Sequence, residues 1–315
     1  MPSNPPSSYT FEINEAQGER LKAILEEKGF DFRDLSYGYF AAKLRKCGVN
    51  YYHSGKIVVN GKDAKEFIEF YLEPLVLQTV VTGYEQYLAK EQHPEMFEPH
   101  FGVDEAGKGD FFGPLVIAGA YVNDVIAERL IEAGVKDSKR LTDKRAEQLT
   151  LEIEKIMRSN SGAWEVITIF PEKYNELYAK FRNLNRLLAW GHAKVIENLK
   201  LKIKNCPRAL SDQFGNPRLI EVELKRKDVE IFLEQRPKAE QDIAVAAASI
   251  LARWRFLQGL KKLSDQASYA LLKGASKQVQ SLAQEIAEKG GADLLEKVSK
   301  RHFKTFDEAM AGKLL

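Results

Sequence analysis

The chain has 315 residues, 44% hydrophobic and 29% charged, a composition that supports sizeable cores and excludes disordered, collagen-like and disulfide-scaffold classes. Its 47 Lys and Arg against 45 Asp and Glu leave a formal net charge of +2, so bulk charge selects neither nucleic acid nor membrane as a partner. Cys47 and Cys206 form neither a paired framework nor a metal-ligand spacing, and they read as core residues of a protein in a reducing compartment. No apolar run approaches the length of about 18 residues that a membrane span needs, and the first ten residues are Ser/Pro-rich without a leader pattern, so a cytoplasmic, unanchored chain is expected.

A short strand is expected over residues 9–13, followed by a helix over 14–28 with Leu21, Ile24 and Leu25 on one face and Gly29 as its stop. Residues 36–59 alternate aromatic and β-branched with polar positions, broken at Gly38, Gly48 and Gly55, as in an antiparallel meander. A helix over 63–73 should end or kink at Pro74. These pieces define a small unit over 1–80, joined by a linker, 81–98, to a larger domain, 99–315. The larger domain opens with a hairpin: a strand over 101–105, a Gly-rich turn over 107–110 and an apolar run over 114–122. Strands at 164–170, 209–214 and 229–235 and helices at 184–201, 243–260, 276–288 and 292–302 complete an α/β reading with a mixed sheet.

The chemistry is expected at strand ends. Asp104 and Glu105 close an apolar strand and run into Gly107, Lys108 and Gly109; strand alternation sends their side chains to opposite faces. Asp212 ends a second apolar run, and Glu240 precedes an Ala-rich helix. Each acid alone also reads as a solvated element end. Together, four carboxylates from three segments suit a hard cation, Mg²⁺ or Mn²⁺. The two glycines remove Cβ atoms where backbone amides could approach a phosphate or sugar, although a plain hairpin turn has the same composition. His192 lies in an apolar helical pattern and receives no role, and Ser249 has no His/Asp partner pattern around it.

Residues 103–114, VDEAGKGDFFGP, resemble the opening motif of ribonuclease HIII, a bacterial type 2 ribonuclease H. Val135 with the KDSKRL string, Asn183-Leu184-Asn185, Leu188-Ala189-Trp190, Asp212-Gln213-Phe214, Lys238-Ala239-Glu240, the segment 246–253 and residues 299–305 follow in the family's order. Lys108 and Glu240 favour the HIII branch over HII, while Gln241-Asp242-Ile243 departs from it where an aromatic is expected. The resemblance implies a ribonuclease H-like, mixed five-stranded sheet flanked by helices, with a small N-terminal α+β domain resembling half of TATA-binding protein. It also implies hydrolysis of the RNA strand of an RNA/DNA hybrid, with two divalent ions held by Asp104, Glu105, Asp212 and Glu240, and products ending in 5′-phosphate and 3′-hydroxyl. Gly107, Lys108 and Gly109 would read 2′-hydroxyls, and Ser138 and Lys139 would touch the backbone. Asp110 and Asp242 are the alternatives to Glu240.

Within 35–62 five basic residues, Lys43, Arg45, Lys46, Lys56 and Lys62, interleave with Tyr37, Tyr39, Phe40, Tyr51 and Tyr52, with no acid among them. Such a strip suits a phosphate backbone, with Lys43, Arg45, Lys46, Tyr51 and Lys56 as contacts. A half-buried sheet with a soluble edge has the same pattern. The expected partner is the hybrid, with no membrane and no obligate protein partner; a monomer is expected. A non-catalytic nucleic-acid-binding protein and a DNA-directed nuclease on the same fold stay open as alternatives.

Overall fold

The structure, a computed structural model, describes residues 8–77, 90, 93–135, 141–237 and 239–311 and divides into two compact units, Met1–Gln92 and His93–Leu315. Residues read as linker therefore fall mostly outside the described residues.

In the first unit β1 (Ser8–Glu12) leads to α1 (Glu15–Glu27), then β2 (Asp31–Arg33), β3 (Gly38–Leu44), β4 (Cys47–Tyr52) and β5 (Lys56–Asn60). Asn14 and Gln17 form a reciprocal capping box that starts α1, with bonds of 2.9 and 3.0 Å. All strand pairs are antiparallel, in the order β1-β5-β4-β3-β2. The three-residue β2 was not legible as a strand. The meander turns at Arg45, whose φ is +50°, rather than at Gly48, which sits inside β4. Helix α2 (Ala64–Phe67) continues in π form over Ile68–Leu77, so Pro74 neither ends the helix nor leaves it α-helical. One face of the sheet and the helices share a core that includes Leu21, Leu25, Val49, Ile57, Val59 and Leu72.

In the second unit β6 (His100–Ala106) pairs antiparallel with β7 (Leu115–Val122), which pairs with β8 (Trp164–Ile169); β9 (Arg208–Asp212) and β10 (Phe232–Arg236) add in parallel on the other side. The order is β10-β9-β6-β7-β8, the mixed five-stranded sheet that was expected. Its helices are α3 (Asp124–Glu132), α4 (Asp143–Ser159), α5 (Pro171–Phe181), α6 (Leu184–Lys202), α7 (Arg218–Arg226), α8 (Ile243–Ala267), α9 (Lys277–Val298) and α10 (Lys304–Ala311). The two helices expected near the C-terminus, over 276–288 and 292–302, are present within Lys277–Val298, separated at Gly291, whose φ of +76° and ψ of 177° are not helical.

Alternation along β6 sets the two layers. Phe101 and Val103 join the core cluster that contains Leu187, Ala193 and Val195 of α6. Gly102 faces the other way, and a Cβ there would lie 2.2 Å from the backbone of Ala244 and Val245. Only glycine lets α8 approach this closely. A buried pair fixes that approach: His100 Nε2 is 3.0 Å from Asp242 Oδ1, both side chains being fully buried. Asp242 also caps α8 by accepting from the amides of Ala244 and Val245. Helix α8 is long and apolar enough by composition to cross a membrane, yet most of it is inside this core. Both cysteines are buried free thiols.

Candidate active site

Asp104 and Glu105, at the C-terminal end of β6, do face opposite sides of the sheet. Asp104 meets the α8 side, where Ser249 hydrogen-bonds its carboxylate, and its Oδ1 accepts from the Glu105 amide at 2.8 Å. Burial, and then the negative charges of Glu105 and Asp212, raise its carboxyl to about 7. Glu105 meets the α6 side: Oε2 accepts from His192 Nε2 at 3.1 Å and Oε1 lies 3.4 Å from Lys108 Nζ. Burial pushes the Glu105 carboxyl up, but His192 and Lys108 outweigh it and hold it below its ordinary value.

Asp212 ends β9 beside β6. Its Oδ1 accepts from the Ala239 amide at 3.3 Å, which holds the start of the turn Ala239–Gln241, the turn that carries Glu240, against the strand end. The structure thus brings Asp104, Glu105 and Asp212 into electrostatic contact, and Glu240 follows Ala239, whose amide is bonded to Asp212. Among the described residues no three His, Cys, Asp or Glu side chains stand close enough to hold an ion as they are. Asp242 is removed as an alternative to Glu240, because His100 and two amides occupy its carboxylate. Asp110 is likewise engaged, its Oδ1 accepting from the Gly274 amide at 2.6 Å.

The two glycines of the turn are unlike. Gly107 has φ +86°, and a Cβ would lie 2.2 Å from the Pro114 carbonyl oxygen. Gly109 has neither constraint: a Cβ there would meet nothing within 4 Å. Gly107 is required by the fold, and Gly109 faces open space. Lys108 reaches back toward Glu105 and stands 5.3 Å from the centre of the Phe214 ring.

His192 is the residue that sequence reasoning missed. It is fully buried, its Nδ1 lies 3.0 Å from Ser211 Oγ, and its ring packs 4.9 Å from that of Phe214. Its place in an apolar helical face gave no sign of a partner 87 positions away. Ser138 and Lys139 lie outside the described residues.

In the first unit Lys43, Arg45, Lys46, Lys56 and Lys62 are exposed. Strand register gathers Lys43, Arg45, Lys46 and Lys62 at the β3–β4 turn end of the sheet, whereas Lys56 starts β5 at the other. Tyr51 corrects the expectation of a substrate contact: it is 4% exposed and belongs to the core, paired across from Phe40. Tyr39, half exposed, stacks on it at 4.6 Å, and Tyr37 is 89% exposed with φ +63°.

Sheet order, helical layers and acids at the ends of β6 and β9 define a ribonuclease H of the type 2 class, and residues 101–306 match the family model described as Ribonuclease HII. The chain is 43% identical over 314 residues to a Ribonuclease HIII of Protochlamydia amoebophila, covering 100% of this chain and 99% of that one. It is 44% identical over 310 residues to a Ribonuclease HIII of Chlamydia pneumoniae, covering 98% and 100%. Among solved structures, Bst-RNase HIII in complex with Mn²⁺ superposes with a TM-score of 0.64 at 27% identity, covering 98% of this chain and 99% of that one. Ribonuclease H2 from Pyrococcus horikoshii superposes with a TM-score of 0.58 at 27% identity but covers only 69% of this chain. The chain belongs to the ribonuclease HIII family.

Proposed function

We propose that this chain is an endonuclease that hydrolyses the RNA strand of RNA/DNA hybrids, leaving 5′-phosphate and 3′-hydroxyl ends, with divalent ions held by Asp104, Glu105, Asp212 and Glu240. Membership of the ribonuclease HIII family supports the activity on hybrids. The observation that carries the site is the placing of Asp104 and Glu105 on opposite faces of one strand end, with Asp212 alongside and the open Gly109 on the adjoining turn.

The donor set fits Mg²⁺ or Mn²⁺. All four proposed ligands are carboxylates, and burial together with the neighbouring charges of Glu105 and Asp212 raises the Asp104 carboxyl to about 7, a penalty on the ionised form that a bound cation would offset. Two such ions would supply an activated water and stabilisation of the leaving 3′-oxygen. The rest falls to the protein. His192 and Lys108 hold Glu105 ionised, and the Ala239 amide and the strand itself fix Asp212. Glu240, on a short turn, would close on the attacking-water side.

Specificity for RNA follows from the turn. Backbone groups of Gly107, Lys108 and Gly109 would meet the 2′-hydroxyls, the group that separates RNA from DNA, because Gly109 leaves room for close approach. The exposed basic end of the first unit would add phosphate contacts that carry no sequence preference. Ser138 and Lys139 join these contacts on the strength of the family motif alone.

The test is one cleavage series with uniformly RNA, chimeric and all-DNA strands opposite DNA, in Mg²⁺ and in Mn²⁺, with end-group analysis of the products. Cleavage confined to ribonucleotides, abolished by Asp104→Asn while hybrid binding persists, is expected. Cleavage of all-DNA duplex would favour a DNA-directed nuclease, and binding without cleavage would favour a non-catalytic module.

A further inference from the structure

Lys300 has no exposed surface, and no ion pair is found for it among the described residues. Its Nζ donates to two main-chain carbonyls, Asp110 at 2.7 Å and Gly113 at 2.8 Å, and stands 5.7 Å from the centre of the Tyr174 ring. Burying an amine is costly, and burial pushes this one down to about 7, with the Asp110 charge acting weakly in the opposite sense. A lysine is therefore a poor choice for filling space here. A neutral amine keeps two N–H donors, so both carbonyls can be satisfied in either protonation state.

The two carbonyls belong to the loop that leaves the Gly107-Lys108-Gly109 turn. That loop is fastened at several other points: the Asp110 amide to the Gly107 carbonyl at 3.3 Å, the Phe111 amide to the Gly274 carbonyl at 3.0 Å, the Gly113 amide to the Val298 carbonyl at 3.0 Å, and the Lys300 amide to the Phe111 carbonyl at 3.0 Å. The Asp110 side chain takes the Gly274 amide at 2.6 Å. Asp110 is thus the post on which the turn hangs, held through its carbonyl by Lys300 and through its carboxylate by Gly274. The turn itself has open space at Gly109, so its shape is set from behind, in part by the fully buried Lys300, which no substrate could reach.

We propose that Lys300 is a positioning residue for ribose recognition: its buried amine, with the Asp110 carboxylate, holds the Gly107–Gly109 turn in the shape that reads the 2′-hydroxyl of the RNA strand. The proposal rests on the reading of that turn given above. Lys300 touches neither substrate nor the acids, so its loss should act on recognition more than on the chemical step.

The experiment measures kcat and KM for full-length wild type and Lys300→Met on a uniform hybrid and on hybrids carrying a single 2′-deoxy substitution beside the cut, with thermal melting followed by circular dichroism. Lys300→Met should raise KM by about fivefold to tenfold, the size of one net hydrogen bond, with a smaller change in kcat. The 2′-deoxy penalty seen with wild type should shrink in the variant, a coupling that a loss of stability alone would not produce. Asp110→Ala, which loosens the same post from the exposed side, should show the same loss of penalty, and its penalty decides the question if Lys300→Met does not fold. A folded variant with wild-type KM and the full penalty overturns the inference alone. Absence of any penalty in wild type overturns the reading of the turn, and the inference with it.

Discussion

His192 Nε2 stands 3.1 Å from Glu105 Oε2 while its Nδ1 meets Ser211 Oγ at 3.0 Å, so one buried ring ties the end of β6 to the residue before Asp212 on β9. The carboxylate can only accept, so Nε2 carries a proton and donates it. The Glu105 carboxylate is therefore oriented by a ring that is also anchored to the strand ending in Asp212. The Ser211 hydroxyl extends the link by donating to the Asp212 carbonyl at 3.1 Å.

Removing that ring should cost both stability and rate. His192→Ala leaves a cavity and strips Glu105 of a buried donor, a loss of about 2 to 3 kcal/mol in unfolding free energy. His192→Gln, which can still present an N–H, should recover most of the stability and part of kcat. Urea unfolding and steady-state cleavage check this; equal kcat in wild type and His192→Ala would show that Glu105 needs no such orientation.

The raised carboxyl of Asp104 gives a signed pH prediction for the ion-free protein. In the folded chain it titrates at about 7 against an ordinary 3.8, so between these values the folded state holds a proton that the unfolded state has lost. Its contribution to stability is full below about 3.8 and is lost as pH rises through about 7. Asp104→Asn removes this titration and keeps an oxygen to accept the Glu105 amide. The variant should gain stability relative to wild type between pH 5 and pH 8, by up to about 1.4 kcal/mol per pH unit within the window. Chelator-treated protein melted across that range tests it. Calorimetric titration of wild type with Mn²⁺ below pH 7 should also show proton release, and its absence would remove Asp104 from the ligand set.

Gly107 and Gly109 should behave as opposites when each becomes alanine. Gly107→Ala combines left-handed backbone, about 1 to 2 kcal/mol for a residue with a Cβ, with a main-chain collision, so its melting temperature should fall sharply. Gly109→Ala meets no protein atom and should melt like wild type. Its defect should appear as a raised KM for hybrid, because the added methyl occupies the space left for a ribose. A normal KM in Gly109→Ala would mean that the open space is not where substrate lies.

The acids at strand ends were legible because β6 and β9 are apolar runs that stop at a carboxylate, and alternation alone sends Asp104 and Glu105 to opposite faces. The helices over 14–28, 184–201 and 243–260 were legible from period, whereas Asp124–Glu132, Asp143–Ser159, Pro171–Phe181 and Arg218–Arg226 were not marked out. What failed was pairing at long range. Nothing near His192 in the chain points to Glu105, and nothing near Lys300 points to Asp110. Tyr51 is a different failure, since Cys47, Val49 and Tyr51 alternate with Gly48 and Asn50, and that period of two already assigned it to the buried face. Strand β2 was missed because three residues carry no period.

The basic end of the first unit supplies the remaining prediction. Lys43, Arg45, Lys46 and Lys62 lie together by register and are exposed, while Lys56 is at the opposite end of the sheet. If the hybrid lies across the clustered end, each of the four replaced by Gln should weaken binding and lower the slope of log K against log salt by roughly 0.7 to 0.9. Lys56→Gln should leave the slope closer to wild type. Rate at saturating substrate should hold in every variant, because the acids belong to the other unit and start at Asp104. Tyr37→Ala and Tyr39→Ala address the aromatic part of the same surface: both side chains are exposed, so a loss of affinity without loss of melting temperature would mark stacking or ribose contact. Tyr51→Phe keeps the buried ring and should bind hybrid like wild type. Fluorescence anisotropy with labelled hybrid across a salt series reads all of these. Five wild-type slopes would make the strip an ordinary sheet edge whose lysines serve solubility.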